Sequence, residues 1–164
     1  MEVITSHAPF LEQLIHWPTD AEQLHLFAGP GLRWPLTVEQ LIQSEQTGYA
    51  GMLVEGELLL GYFQLKMRSP EICRLCRVII HPRYRGQRLG RMMLAHAILI
   101  ARDHYHAKRI ELGVYQHNLR AMNRYLYFGF RPMSQSMVRG PGHRNWIVVE
   151  MYKILGKTCI DIQV

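Results

Sequence analysis

One stretch constrains this chain more than any other: VIIHPRYRGQRLGRMMLAHA, residues 78–97. β-Branched residues run into Pro82, cross a short basic loop holding Gly86 and Gly90, and continue as an apolar-periodic segment. Branched side chains favour strands and a 3.6-residue period marks a helix, so the pattern is a strand–loop–helix unit. A helix start presents unpaired backbone N–H groups and the positive end of its dipole. Glycines there let the backbone come close to a ligand, and Arg85, Arg88 and Arg91 add donors suited to phosphate. A charged surface turn has the same composition, so the neighbouring elements must decide. The loop contains no G-x-x-x-x-G-K-[ST], and its glycines do not fall at the dinucleotide-binding spacing.

The flanking sequence supplies that context. TDAEQLHLFAG opens with Thr19 and Glu22 in a capping-box pattern and stops at Gly29; PLTVEQLIQSEQ repeats the device with Thr37 and Gln40. Two β-rich runs around Glu55-Gly56 predict a hairpin, and a third strand runs from about Ile72 to Ile80. A broad amphipathic helix is expected over 88–105, a strand over 109–115, a helix over 118–128 and a late strand over 146–154. Helices first, then a strand meander, then strand–helix alternation: this order predicts an α/β sheet with a parallel portion.

The chain has 164 residues and a net charge of +6, enough for one domain with a proper core and compatible with an anionic partner. No signal peptide is read in MEVITSHAPF and no apolar run reaches membrane-spanning length, so the expectation is a cytoplasmic protein with no membrane partner. Cys73 and Cys76 form a lone C-x-x-C; without further ligands at suitable spacing no metal site is expected, and free buried thiols are.

A second constellation narrows the chemistry. In NLRAMNRYLYFGF, Asn118 can cap a helix while Ala121 and Tyr125 follow on the same face, and Gly129 ends it. A polar group, a gap and a phenol then lie in line. With both segments in view, the chain resembles the GNAT superfamily of acyl-CoA-dependent N-acetyltransferases. RGQRLG, Arg85 to Gly90, is similar to the family's R/Q-x-x-G-x-G/A loop, with Arg88 in place of the first glycine. That departure is accommodated if residue 88 keeps helical φ/ψ. Asn118, Ala121, Tyr125, Gly129 and Phe130 match N-x-x-A-x-x-x-Y-x-x-x-G-F.

The resemblance implies one domain: variable acceptor-side helices over 1–48, an acyl-CoA-binding core over 49–153 and a tail over 154–164. It implies a mixed, mostly antiparallel twisted sheet, splayed at the acyl-CoA site and flanked by helices. Acetyl-CoA would be held by main chain at Val78, Ile79 and Ile80, by the loop of Arg85, Gly86, Gln87, Arg88, Leu89, Gly90 and Arg91, and by Asn118 and Ala121. Tyr125 would donate a proton to the departing thiolate while an amine attacks the thioester directly. Relatives often place a glutamate where Arg74 stands, so no general base is assigned; Glu71, His81 and His117 are alternatives without a spacing argument. A small-molecule or amino-acid amine is the favoured acceptor, with Trp17, Trp34 and the 138–146 loop shaping its pocket. A protein N-terminus, an aminoacyl-tRNA and a non-catalytic acyl-CoA-binding role are alternatives. Nucleic acid is thus not the favoured partner, and a homodimer is compatible with the sequence.

Overall fold

The computed structural model describes residues 1–156. These residues build one seven-stranded sheet: β1 (Glu2–Thr5), β2 (Tyr49–Glu55), β3 (Leu58–Ser69), β4 (Ile72–Ile80), β5 (Arg109–Tyr115), β6 (Arg131–Arg139) and β7 (Asn145–Ile154), in spatial order 1-2-3-4-5-7-6. Helices α1 (Ala8–Leu14), α2 (Ala21–Ala28) and α3 (Val38–Glu45) precede β2; α4 (Leu89–Leu99) joins β4 to β5, and α5 (Leu119–Tyr127) joins β5 to β6.

Strand periodicity explains how helices cover both faces. Successive side chains alternate sides, so a strand covered on both faces reads as a continuous apolar run. Leu53, Phe63 and Leu65 join one core with Met93, Leu94 and Ala97 of α4. Met52, Val54 and Tyr62 join a second core with Leu11, Leu14, Leu24 and Leu41 of the first three helices.

Every neighbouring pair is antiparallel except β4–β5. That parallel pair holds only where Ile72, Cys73 and Arg74 face Arg109, Ile110 and Glu111. Beyond it the two strands part. The divergence has a local cause on β4: Tyr62 pairs Ile79 and Gln64 pairs Cys76, so the extra residues form a bulge at Arg77, whose φ is +54°. A bulge bends and twists its strand, here turning Val78–Ile80 away from β5.

Several local expectations change. The segment 88–105 forms α4 and then a wider π-type turn over Ile100–His104, closed by Tyr105 N–H on the Ile100 carbonyl at 3.1 Å. The cap of α2 is Asp20, which accepts from Gln23 N–H at 2.7 Å, rather than Thr19. Thr37 does cap α3, but the Gln40 amide turns to the Pro35 carbonyl instead of closing the box. β1 and β6 carry no strong sequence pattern: β1 is short, and β6 is an exposed edge strand containing Pro132. β7 runs through Ile154, and most of the expected tail, 157–164, lies outside the described residues. Among the described residues no helix is long and apolar enough to cross a membrane.

Candidate active site

The parting of β4 and β5 opens two adjoining clefts, of about 750 and 440 Å³. Val78, Asn118, Ala121, Leu26 and Phe27 line both, so the opening runs through the sheet beneath the end of α2.

The larger cleft collects cations. Arg85, Arg88, Arg91, Arg120 and Arg124 line it, and among the described residues no carboxylate does. Val78, Ile79, Ile80, Gly86, Leu89 and Gly90 complete the loop side; Gln87 lines neither cleft. The N–H groups of residues 85–90 meet no acceptor among the described residues, whereas Arg91 N–H is taken by the Arg88 carbonyl at 2.8 Å. Arg88 caps α4 in the left-handed conformation, φ +63° and ψ +2°, not the helical one. That is a glycine-favouring geometry, so the arginine sits there under strain. Gly90 leaves room for Arg124: a Cβ on it would lie 2.6 Å from Arg124 Nη1, so any larger residue must displace that guanidinium. Burial, reinforced by Arg120 and Arg91, holds the Arg124 guanidinium below its usual value, the mark of a cation without an anion. Sequence reasoning missed Arg120 and Arg124; their i, i+4 spacing on α5 was the available signal.

Helix α5 supplies the seam between the clefts. Asn118 accepts from Ala121 N–H at 3.3 Å with its side-chain oxygen and so caps the helix, leaving its amide NH2 for other partners. Gly129 follows with φ +80°. Tyr125 is buried and lines the smaller cleft. Its hydroxyl makes no hydrogen bond among the described residues, and burial pushes its pKa up to about 12. The phenol is therefore protonated at neutral pH.

The smaller cleft is assembled from distant segments. Arg74 and Glu150 form a bidentate pair, 2.7 and 3.1 Å, across the gap beside Gly113. A Cβ on Gly113 would come within 2.8 Å of Arg74 Nη2. Arg77 donates from Nη1 to Gln64 at 2.5 Å; Gln64 donates to Ser44 and to Tyr62, whose hydroxyl donates to Glu45 at 2.8 Å. Tyr115 bonds Nε2 of the buried His25 at 2.9 Å, with Trp146 edge-on to both rings. Burial lowers the His25 pKa, so this imidazole stays neutral. Lys66 and Cys76 complete the polar lining. Among the described residues Cys73 and Cys76 are free thiols, the first buried and the second half-buried.

Other expected residues fall elsewhere. Trp17 lines the larger cleft and packs edge-on against His81, and exposed Trp34 lines neither. Within the 138–146 loop, Val138 reaches the smaller cleft and Trp146 stands behind it. Glu71 pairs with Lys108 at the surface. His81 accepts from Arg83 N–H at 3.2 Å and lines neither cleft; His117 stacks on Tyr115 outside both linings.

Comparison with solved structures returns this fold. A ribosomal-protein-alanine N-acetyltransferase from Brucella melitensis superposes with a TM-score of 0.78 at 19% identity, over 94% of this chain and 100% of that one. A spermidine N-acetyltransferase from Vibrio cholerae, in complex with CoA and spermine, gives 0.78 at 14% identity over 94% and 95%. A putative acetyltransferase from Salmonella typhimurium with its cofactor acetyl-CoA gives 0.75 at 15% over 100% and 99%. A family profile described as the acetyltransferase (GNAT) family matches residues 11–130, spanning the cation-lined loop and the Asn118–Tyr125 face alike, and the chain belongs to that family.

Proposed function

We propose that the protein transfers an acetyl group from acetyl-CoA to a small-molecule primary amine, directly, with both substrates bound. The single observation that carries this is the opening between β4 and β5, with an arginine-lined cleft on one side and, on the other, a mixed-charge cleft whose lining includes the Tyr125 phenol. The arginines, the unpaired loop N–H groups and the narrow gap beside Gly90 fit a pyrophosphate and a further phosphate. The freed edge of Val78–Ile80 fits an extended amide-bearing arm laid down as an added strand. Asn118 would bind that arm through its amide NH2. When bound, acetyl-CoA supplies the acetyl group as an activated thioester.

The chain's own residues then do three things. The N–H near Ile80 donates to the carbonyl oxygen as negative charge grows on it. Tyr125 holds a proton on its hydroxyl and gives it to the sulfur as the C–S bond breaks and the C–N bond forms. Lys66 and Arg77, which form no ion pair among the described residues, disfavour the ammonium form of an entering amine, because like charges oppose ionisation. That effect stands in for the missing carboxylate base; the surplus amine proton leaves to water in the open cleft, and Tyr125 regains its proton from that water. Residues 1–48, through α2 and the turn after it, would form the acceptor-side cover over a core of 49–153.

Intact-mass measurement and thiol release test the reading together. Incubation with acetyl-CoA alone should leave the protein mass unchanged, and an amine panel should release free thiol and an N-acetyl product. A protein that gains one acetyl group before any amine is added rules out direct transfer.

A further inference from the structure

We infer that the acceptor is an amine carrying its own carboxylate, of the amino-acid class, with that carboxylate seated between Arg77 and Lys66. This rests on the transferase reading above and adds the substrate class to it.

The charge inventory of the smaller cleft is the starting point. Its lining holds three cations, Lys66, Arg74 and Arg77, and one carboxylate, Glu150. Both Glu150 oxygens are taken by Arg74, so that pair is internally satisfied. Lys66 and Arg77 form no ion pair among the described residues. Glu45 does not compensate them: it lies behind Tyr62, bonded by the Tyr62 and Ser6 hydroxyls, and lines neither cleft. Two positive charges therefore face the acceptor space without a counter-ion.

Arg77 is the more telling of the two. Its one hydrogen bond runs from Nη1 to the neutral Gln64 amide, while its Nε is buried with no partner among the described residues. A buried donor left unpaired is costly, more so on a charged group. Its backbone sits at φ +54°, in the bulge that also opens the sheet. Left-handed backbone at a non-glycine residue is strained and persists only where the surrounding structure over-determines it. Gln64 is itself clamped by Ser44 and Tyr62, so the guanidinium is held at Nη1, with Nη2 beside Gly31, while the side chain lines the smaller cleft. A carboxylate is the planar acceptor that a guanidinium edge matches.

Three acceptor classes separate on this geometry. A polyamine brings further positive charge toward Lys66 and Arg77 and is repelled. A neutral amine leaves Arg77 and Lys66 without a counter-ion. An amino acid satisfies the guanidinium with its carboxylate and keeps its amine a few bonds away, beside the strand segment that follows Arg77.

The test uses the full chain and three pools: common α-amino acids, the matching amino-acid amides, and the polyamines spermidine and spermine. With acetyl-CoA saturating, the amino-acid pool should release thiol, and mass spectrometry should identify the N-acetyl product. For that acceptor the matched amide should show kcat/KM at least about tenfold lower, the loss of one hydrogen bond to a charged group. Arg77→Gln should raise the KM for the amino acid by about 10- to 100-fold without changing the acetyl-CoA Kd. Lys66→Gln, at a half-buried β3 position away from the bulge, is the second variant and should shift the same KM in the same direction. Faster turnover of the amide or polyamine pool overturns the inference and leaves the transferase reading standing. If no pool releases thiol although acetyl-CoA binds, the transferase reading fails, and calorimetry on CoA-loaded protein decides the inference by itself. Amino acids binding no more tightly than their amides overturn it.

Discussion

The two clefts that meet at Val78, Asn118 and Ala121 follow different electrostatic plans. Among the described residues the larger presents five arginines, no carboxylate and a run of backbone N–H groups without partners. The smaller ties its one carboxylate, Glu150, to Arg74 and joins polar side chains to one another, Arg77 to Gln64 and His25 to Tyr115, while Lys66 and Arg77 have no ion pair among the described residues. One surface presents cations alone, and the other sets its cations within a network of side-chain contacts. Backbone and arginine donors suit a ligand whose phosphates are always the same. Side-chain pairs from separate strands suit an acceptor that each family member must choose for itself.

The most direct way to break this contrast is to give the larger cleft a carboxylate. Gly90→Glu puts a negative charge at the start of α4 and drives Arg124 from its place, since even a Cβ there would lie 2.6 Å from Nη1. Acetyl-CoA affinity should fall at least about 100-fold by calorimetry, as cation–phosphate contacts are exchanged for repulsion. Circular dichroism would confirm that the fold survives. Unchanged affinity in a folded variant would show that the phosphates bind elsewhere.

A smaller effect is expected at the seam. Tyr125→Phe keeps the ring and its packing against Phe130, whose centroid lies 5.8 Å away. The lost hydroxyl has no hydrogen-bond partner among the described residues, so nothing is left unpaired. Melting temperature and acetyl-CoA Kd should barely move, while kcat falls by roughly the 10²–10⁴-fold of a lost general acid. Near-parental turnover would mean that water protonates the thiolate, leaving positioning as the source of catalysis.

The same contrast explains what the sequence revealed. The cationic side of the larger cleft is written in two short segments, Arg85–Arg91 and Asn118–Arg124, where residues adjacent in space are adjacent in the chain. Spacing rules for a loop and a helix face can read such a site. The smaller cleft joins Arg74 to Glu150, 76 residues apart, and His25 to Tyr115, 90 apart. Those meetings depend on the antiparallel register of β5 with β7 and on the bulge at Arg77. Neither is visible in a hydrophobic pattern. Arg74 was noted as a missing carboxylate, but that a carboxylate reaches the same spot from β7 was not readable. Most of the sheet was readable because β2, β3, β4, β5 and β7 carry dense apolar runs; β6 was not, because an exposed edge strand needs none.

The finest difference between the clefts lies in Arg88, where left-handed backbone and a cationic side chain occupy one residue. Arg88→Gly separates the two. Relief of the positive-φ strain stabilises the folded chain, while the extra freedom of glycine when unfolded offsets part of the gain. The net is a stabilisation of less than about 1 kcal/mol, read as a rise of a few degrees at most in melting temperature. Binding should move the other way. One of the five arginines is lost, so acetyl-CoA affinity should fall by about tenfold or less, with a shallower dependence on salt. Arg88→Asp, which keeps a side chain at the same backbone angle but reverses its charge, should bind far more weakly than Arg88→Gly. Equal affinities for the two variants would show that the side chain points away from the phosphates. A glycine variant that binds more tightly than the parent would show that Arg88 crowds the loop, and that its charge acts against the cleft it lines.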